Sequence, residues 1–146
     1  HYANFILEFQ ERYNSDIMFS NPTASKLEDK GSPIGHLCKI IFRKSVNEKT
    51  GAQVKYPIIY GRTGGNSVWV EKELVDMMYL WGFIEKKGAW ISLDEDLIKN
   101  LKKENIECLE KVQGEPKLIN YLEQNEILKS YLLNLFKESI LNTDDV

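Results

Sequence analysis

Residues 84–90, Ile-Glu-Lys-Lys-Gly-Ala-Trp (IEKKGAW), decide the local architecture of the second half of the chain. Residues 83–85 and 89–93 are rich in apolar and aromatic side chains, and a glycine-containing turn between two such runs is typical of a tight β-hairpin. The stretch predicts a hairpin whose turn is Lys86-Lys87-Gly88. Two lysines at such a tip are explained either by solvation alone or by a small basic surface that binds phosphates.

Helices are predicted on both sides of this hairpin. Upstream, an apolar stripe predicts a helix that starts near Asn66 or Ser67 and ends at about Trp81, with Gly82 in the left-handed position that follows many helices. Downstream, Asp94 is a candidate cap for a helix over 95–112. Proline is favoured in a first helical turn, so Pro116 predicts a short helix to about Gln124, and the apolar pattern predicts a last helix from about Ile127.

The first third of the chain predicts a different arrangement. Residues 2–13 fit a short amphipathic helix, through Phe5, Ile6, Phe9 and Tyr13, and a polar connector follows to residue 35. Residues 36–43 and 54–60 have the β-branched and aromatic composition of strands and predict a long hairpin. Because Pro57 lacks a backbone donor, its strand is expected at an edge or a bulge. The predicted organisation is an N-terminal helix and linker, 1–35, followed by an α+β domain, 36–146, in which a small antiparallel sheet of two hairpins packs against several helices.

The charge is distributed unevenly along the chain. The net charge of −3 combines nine Lys/Arg and five Asp/Glu in residues 36–90 with seven Lys/Arg and twelve Asp/Glu in residues 91–146. A polyanionic partner is therefore expected to meet only a local basic patch in the middle of the chain.

The sequence lacks the residues that several kinds of binding site and catalytic site require. The glycine-rich loop at 61–65 is not followed by the lysine of a phosphate-binding loop, and the two histidines, His1 and His36, have no partners for a metal site or a catalytic triad. Cys38 and Cys108 are expected to be buried free thiols, which is typical of a cytoplasmic protein. No apolar run approaches the ~18 residues of a membrane span. The sequence thus predicts a binding module without enzymatic activity, metal or cofactor, and with no membrane partner.

The order of several short motifs resembles the C-terminal part of the RecA-type recombinases of bacteria and phages, including the UvsX-like proteins. The motifs cover roughly residues 36–140 and are Cys-Lys-Ile-Ile-Phe-Arg-Lys at 38–44, the strand of 53–61 that ends in Ile-Tyr-Gly, Glu-Leu-Val-Asp at 73–76, Ile-Glu-Lys-x-Gly-Ala-Trp at 84–90, and Val-Gln-Gly at 112–114 with Lys117 and Leu-Ile-Asn-Tyr-Leu at 118–122. The segment 94–111 has no counterpart in that family, where a short connection stands instead.

The resemblance implies a RecA C-terminal-domain-like fold that captures double-stranded DNA in recombination and repair. It implies DNA contacts by Lys86 and Lys117, to which the basic middle segment adds Lys87 and Lys72. Lys44 matches a lysine that reaches the nucleotide bound by a neighbouring subunit of the filament. The phosphate loop and the metal-binding aspartate are missing, so ATP and Mg²⁺ are implied only for a full-length parent. The alternative prediction is a winged-helix-like domain that binds proteins and no nucleic acid.

Overall fold

The computed structural model describes residues 4–44 and 50–143, which belong to two compact units, His1–Trp69 and Val70–Val146. The contacts divide the chain after Trp69, and the boundary predicted after residue 35 falls inside the first of these units. Residue 35 lies inside strand β3 (Pro33–Lys44), and both preceding strands, β1 (Ile6–Phe9) and β2 (Ile17–Phe19), pair with β3. Residues 6–9 and 17–19 are part of a sheet because their backbone groups pair with those of β3.

In the first unit, a four-stranded antiparallel sheet is built around β3, which pairs with the other three strands. Strand β4 (Gln53–Ile59) pairs with one side of β3, while β1 and β2 pair with different parts of its other side. The predicted long hairpin of β3 and β4 is confirmed, although residues 45–49 of its connection lie outside the described residues. The edge position of β4, expected from Pro57, is also confirmed within the described sheet. The helix predicted over 2–13 is wrong in its described part, since residues 6–9 form β1.

The two faces of this sheet differ in polarity. Cross-strand partners share a face, so the pairs Leu7–Phe42, Phe9–Ile40 and Ile40–Val54 make one face apolar. The opposite face holds the Glu8–Arg43 pair, in which hydrogen bonding to Arg43 lowers the pKa of Glu8 to about 2. One face is therefore apolar at these positions, whereas the other is mixed and carries charged residues beside the apolar pair Leu37–Pro57.

The second unit combines helices with a three-stranded antiparallel sheet in the order β5-β6-β7. Its elements are α1 (Val70–Leu80), β5 (Ile84–Lys87), β6 (Trp90–Leu93), α2 (Glu95–Lys103), β7 (Lys111–Gln113), α3 (Glu115–Gln124) and α4 (Glu126–Thr143). The α+β class is therefore confirmed, with two small antiparallel sheets. None of the described helices is long and apolar enough to cross a membrane.

The helix predicted over 95–112 is too long. Asp94 does cap α2, accepting hydrogen bonds from the backbone of Asp96 and Leu97, but the helix ends at Lys103. Asn105 then adopts a left-handed backbone with φ 55°, which asparagine tolerates better than most residues. Residues 111–113 form β7, and Gly114 precedes α3 as its N-cap.

The ends of the other helices follow the prediction more closely. Helix α1 begins at Val70 and stops before Gly82, whose φ of 73° is the left-handed conformation expected there. The amide of Phe83 donates to the carbonyl of Met78 at 2.8 Å and closes the helix end. Pro116 lies in the first turn of α3, as predicted.

Nearly the whole hydrophobic core of the described residues lies in the second unit. Fifteen of the sixteen buried hydrophobic side chains belong to it, and the sixteenth is Trp69. The fully buried members come from α1, β6, α2, α3 and α4: Leu74, Val75, Met78, Ile91, Leu101, Leu122, Leu128 and Leu132. Helices α1, α3 and α4 contact one another, and α1 and α3 also contact the sheet, so this packing dominates the unit.

One buried ion pair joins two helices of this core. The carboxylate of Glu71, only 5% exposed, lies 3.3 Å from the ammonium of Lys129, which also pairs with the exposed Glu126 at 2.7 Å. The hydrogen bond to Glu126, opposed by burial and supported by Glu71, raises the pKa of Lys129. The pair fixes the start of α4 against the start of α1.

Candidate nucleic-acid interface

The hairpin tip is tighter than predicted. Lys87 pairs with Trp90, so the turn consists of Gly88 and Ala89 alone, and both lysines belong to β5. Gly88 has a φ of 62°, which is the arrangement of a type II′ turn and matches the twist of the strands. The lysines are therefore held by a ladder of backbone hydrogen bonds.

Lys86 and Lys87 point to opposite faces of the sheet, because side chains alternate along a strand. Lys86 pairs with Ile91, whose other cross-strand neighbour is the buried Val112, so Lys86 lies at the rim of the core side. Lys87 pairs with Trp90 on the outer side. Both lysines are exposed, and Lys87 makes an ion pair with Glu85 on its own strand at 3.1 Å.

The outer face of the sheet, as the register defines it, carries Glu85, Lys87, Trp90, Ser92, Lys111 and Gln113. Trp90 is 44% exposed, and the ammonium of Lys111 lies 5.1 Å from the centre of its ring. This distance is within the range of a cation–π interaction. Each of the two neighbouring strands therefore places a lysine on the same face of the sheet as the half-exposed ring of Trp90.

Helix α3 starts directly beside the hairpin turn. The amide of Gly114 donates to the carbonyl of Ala89 at 2.9 Å, so the N-cap of α3 is hydrogen-bonded to the turn. Lys117 follows within the first turn of the helix and is exposed. The structure thus brings Lys86, Lys87 and Lys117 to the same end of the second unit.

Lys72 reaches this end of the unit but is already engaged. It lies 3.2 Å from Glu115 in the first turn of α3 and also pairs with Asp76, one turn further along α1. Burial opposes its charged form, but the hydrogen bond to Asp76 and the charge of Glu115 raise the pKa of Lys72. Its ammonium is paired with the carboxylates of Asp76 and Glu115. Lys72 is therefore a weaker candidate for phosphate contact than the exposed lysines.

Lys44 belongs to the first unit, whereas the other predicted residues belong to the second. It ends β3 in the first unit, opposite Ile6 of β1, and its side chain is exposed. It shares neither strand nor helix with the lysines of the hairpin end. Its predicted contact with nucleotide stays a prediction.

Side chains of the types used in catalysis or metal binding are either hydrogen-bonded to other residues or do not form a cluster in the described part of the chain. The Nδ1 atom of His36 is 2.9 Å from the hydroxyl of Tyr60, which accepts a hydrogen bond from Arg12. Both cysteines are free and half-buried, and burial, together with Glu110, raises the pKa of Cys108 to about 11. No group of three or more His, Cys, Asp or Glu side chains suited to a metal ion occurs in residues 4–44 and 50–143.

Sequence reasoning missed Lys111, because it placed this residue inside a helix. The available signal was the alternation of Lys111, Val112 and Gln113 directly before Gly114, which is the pattern of a strand with one buried side chain. Lys111 raises to four the exposed lysines around the hairpin and the outer face. No protein-family model matches this chain, and no match to it was found among curated proteins.

Proposed function

We propose that the second unit binds duplex DNA, through phosphate contacts made by Lys86, Lys87 and Lys117, as a module of a RecA-type recombinase. The observation that carries the proposal is the hydrogen bond between Gly114 and Ala89, which joins the start of α3 to the hairpin turn. Two elements that are distant in the sequence thereby bring exposed lysines to one end of the unit, although Lys86 and Lys87 leave their strand on opposite faces. Clustered lysines bind the DNA backbone without reading its sequence.

The position of Lys117 supports a binding role over a structural one. The start of a helix carries a partial positive charge, so a lysine in the first turn is electrostatically unfavourable for the helix. Neither Lys117 nor Lys86 makes an ion pair within the described part of the chain. A phosphate bound at this end would relieve the repulsion and so gain affinity from it.

In a recombinase, this module would deliver duplex DNA to an ATP-dependent filament. The chain itself would be neither an ATPase nor a cofactor-binding protein, and ATP and Mg²⁺ would belong to the core of a full-length parent. Lys44 would contact the nucleotide of a neighbouring recombinase subunit. Homologous recombination and DNA repair in the cytoplasm are the setting that this function implies.

The test is a titration of a fluorescently labelled duplex with the whole chain, followed by anisotropy at two or more salt concentrations. Three phosphate contacts predict a slope of about −2.7 in a plot of log affinity against log salt, because each contact contributes about 0.9. The double substitution Lys86→Glu/Lys87→Glu is expected to abolish measurable binding, and Lys117→Glu to weaken it.

A matched control separates local contacts from net charge. The exposed lysines Lys99 and Lys103 lie on α2 of the same unit, away from the hairpin turn along the chain. Lys99→Glu/Lys103→Glu changes the net charge by the same amount and is expected to retain most of the affinity. If the control weakens binding as much as the hairpin substitutions do, or if the folded hairpin variant binds duplex unchanged, the proposal is wrong.

A second candidate is a protein-interaction domain without nucleic-acid binding. The order of helix, hairpin and helix through α1, β5, β6 and α2 resembles a winged-helix module, and the segment after residue 90 is acidic. Leu80 and Ile127 are large apolar side chains that are more than two-thirds exposed, which favours a protein partner. Absence of duplex binding even at low salt would support this candidate.

A further inference from the structure

The exposure of Trp90 has no packing explanation. Aromatic side chains on a sheet are stabilised by aromatic or β-branched cross-strand partners, but the partners of Trp90 are Lys87 and Gln113. Its ring is 44% exposed on the central strand of the sheet, where the ammonium of Lys111 contacts it. A large aromatic surface is thus kept in water between two cations.

Trp81 of the same unit provides a comparison, because its ring packs against another aromatic side chain. It is exposed to a similar extent, 40%, but its ring makes an edge contact with Phe136 of α4, with ring centres 5.9 Å apart. Trp81 therefore contributes to packing, whereas Trp90 meets polar partners on both sides. The two residues form a natural pair of site and control.

The groups around Trp90 match the chemistry of a nucleic-acid strand. Lys87 and Lys111 lie on the strands on either side of it, two strand spacings apart and offset by two residues along the strand, so their backbones are roughly 12 Å apart. Ser92 and Gln113 add hydrogen-bonding groups. Glu85 is the one acid among the six outer-face positions, and its pair with Lys87 is so exposed that it is weak and easily exchanged.

An aromatic platform beside cations is the arrangement by which proteins hold single strands, whose bases are free to stack on it. In a duplex the bases are stacked on each other, and only the backbone and groove edges reach a protein surface. The outer face therefore fits a single strand better than a duplex. The cation–π contact of Lys111 is of the weak, exposed kind, so its ammonium can move from the ring to a phosphate.

We infer that the outer face of the β5-β6-β7 sheet is a site for single-stranded nucleic acid, with one base stacked on Trp90 and phosphates on Lys87 and Lys111. The inference extends the proposed function and rests on it, since both take nucleic acid as the ligand. It differs in the type of strand and in its decisive residues, Trp90 and Lys111, neither of which the duplex proposal uses.

The experiment compares a labelled oligothymidine of about 15 nucleotides, a length near the upper site size of a small single-strand-binding domain, with a labelled duplex. Both are titrated with the whole chain and its Trp90→Ala, Trp90→Phe, Lys111→Gln and Trp81→Ala variants. For Trp90→Ala we expect a roughly 10-fold or greater loss of affinity for the single strand, which is the size of one stacking contact. Trp90→Phe should recover part of it, Lys111→Gln should weaken single-strand binding, and Trp81→Ala should leave it unchanged in the folded protein.

The outcomes distinguish this inference from the proposed function. If duplex binding follows the hairpin lysines while the single strand is not bound, or is bound equally by Trp90→Ala and wild type, the inference fails and the proposed function stands. Equal losses in Trp90→Ala and Trp81→Ala also overturn it, because a general effect of removing a ring would explain both. If neither ligand binds, both proposals fail. Lys111→Gln changes an exposed side chain and provides a test that does not depend on how Trp90 variants fold.

Discussion

The concentration of the core in one unit predicts that a fragment of residues 70–146 folds without the rest of the chain. Fifteen of the sixteen buried hydrophobic side chains of the described residues are in it, as is the Glu71–Lys129 pair. The fragment has 77 residues, from Val70 to Val146, which is above the length of about 40 residues below which domains need disulfides or metals. The described residues of the first unit contribute one buried hydrophobic side chain, and the complementary fragment should lack a cooperative transition.

The expected size of the transition follows from the chain length. Unfolding enthalpy near 60 °C is about 0.7 kcal/mol per residue, which gives about 54 kcal/mol for the fragment and about 100 kcal/mol for a chain that unfolds as a whole. If the core of the second unit dominates, the intact chain should show a main transition much nearer the lower value. Calorimetry of the fragment and of the intact chain measures both quantities.

Two results would refute the reasoning. The fragment could melt gradually, without a heat-absorption peak and with a urea curve that is not sigmoidal. Alternatively, the intact chain could absorb about 100 kcal/mol in one transition while the fragment is unfolded, which would mean that the first unit is required for the second to fold. If the fragment does fold, it carries the hairpin lysines, Trp90 and Lys111, and its DNA binding can be measured without Lys44.

Two further predictions concern titratable groups. Lys129→Met is expected to cost about 2 kcal/mol of unfolding free energy by leaving the buried carboxylate of Glu71 without this cation, while the control Glu126→Gln, which alters an exposed partner, should cost less than about 1 kcal/mol. Because the pKa of Lys129 is raised in the folded protein, its contribution is complete below the usual lysine value and is lost as the pH rises through the folded value. The urea midpoints of wild type and Lys129→Met should therefore converge above pH 10.5; a constant gap would contradict the ion pair. The pKa of Cys108, about 11, leaves roughly 0.1% thiolate at pH 8, so alkylation by iodoacetamide, followed by peptide mass spectrometry, should be about 100-fold slower in the folded than in the urea-unfolded protein. Equal rates would show that the thiol is not shielded.

The elements that were predicted correctly are those with a local signal. The β3–β4 and β5–β6 hairpins have β-rich runs on both sides of a glycine-containing turn, and the end of α1 has Gly82 in the one conformation that suits it. The helix predicted over 2–13 failed because four consecutive residues with three large apolar side chains fit a helix or a strand equally well. Pairing with β3, which is remote in the sequence, decided between them.

The error over 95–112 had a similar origin and affected the site directly. Leu97 and Leu101 keep a helical period, and Cys108 and Val112 continue it by coincidence of spacing, although the helix stops at Lys103. Val112 is buried as a strand residue opposite Ile91. The alternation of Lys86 and Lys87 between two faces could be derived from the strand itself, but the meeting of Lys111 with Trp90 depends on the β6–β7 pairing, which no local pattern indicates.

Strand β5 is an edge of its sheet in the described structure, and three of its four residues are charged. An exposed edge is a template on which a second molecule can add a strand, and charged side chains, lysine above all, discourage such aggregation. Lys86 and Lys87 would therefore keep the protein monomeric in addition to any contact with phosphate. Replacing them with glutamate reverses the charge but keeps the edge charged, whereas replacing them with valine or threonine would create an edge prone to self-association. Protection of the sheet edge and the proposed contacts with DNA phosphates would thus depend on the same two side chains.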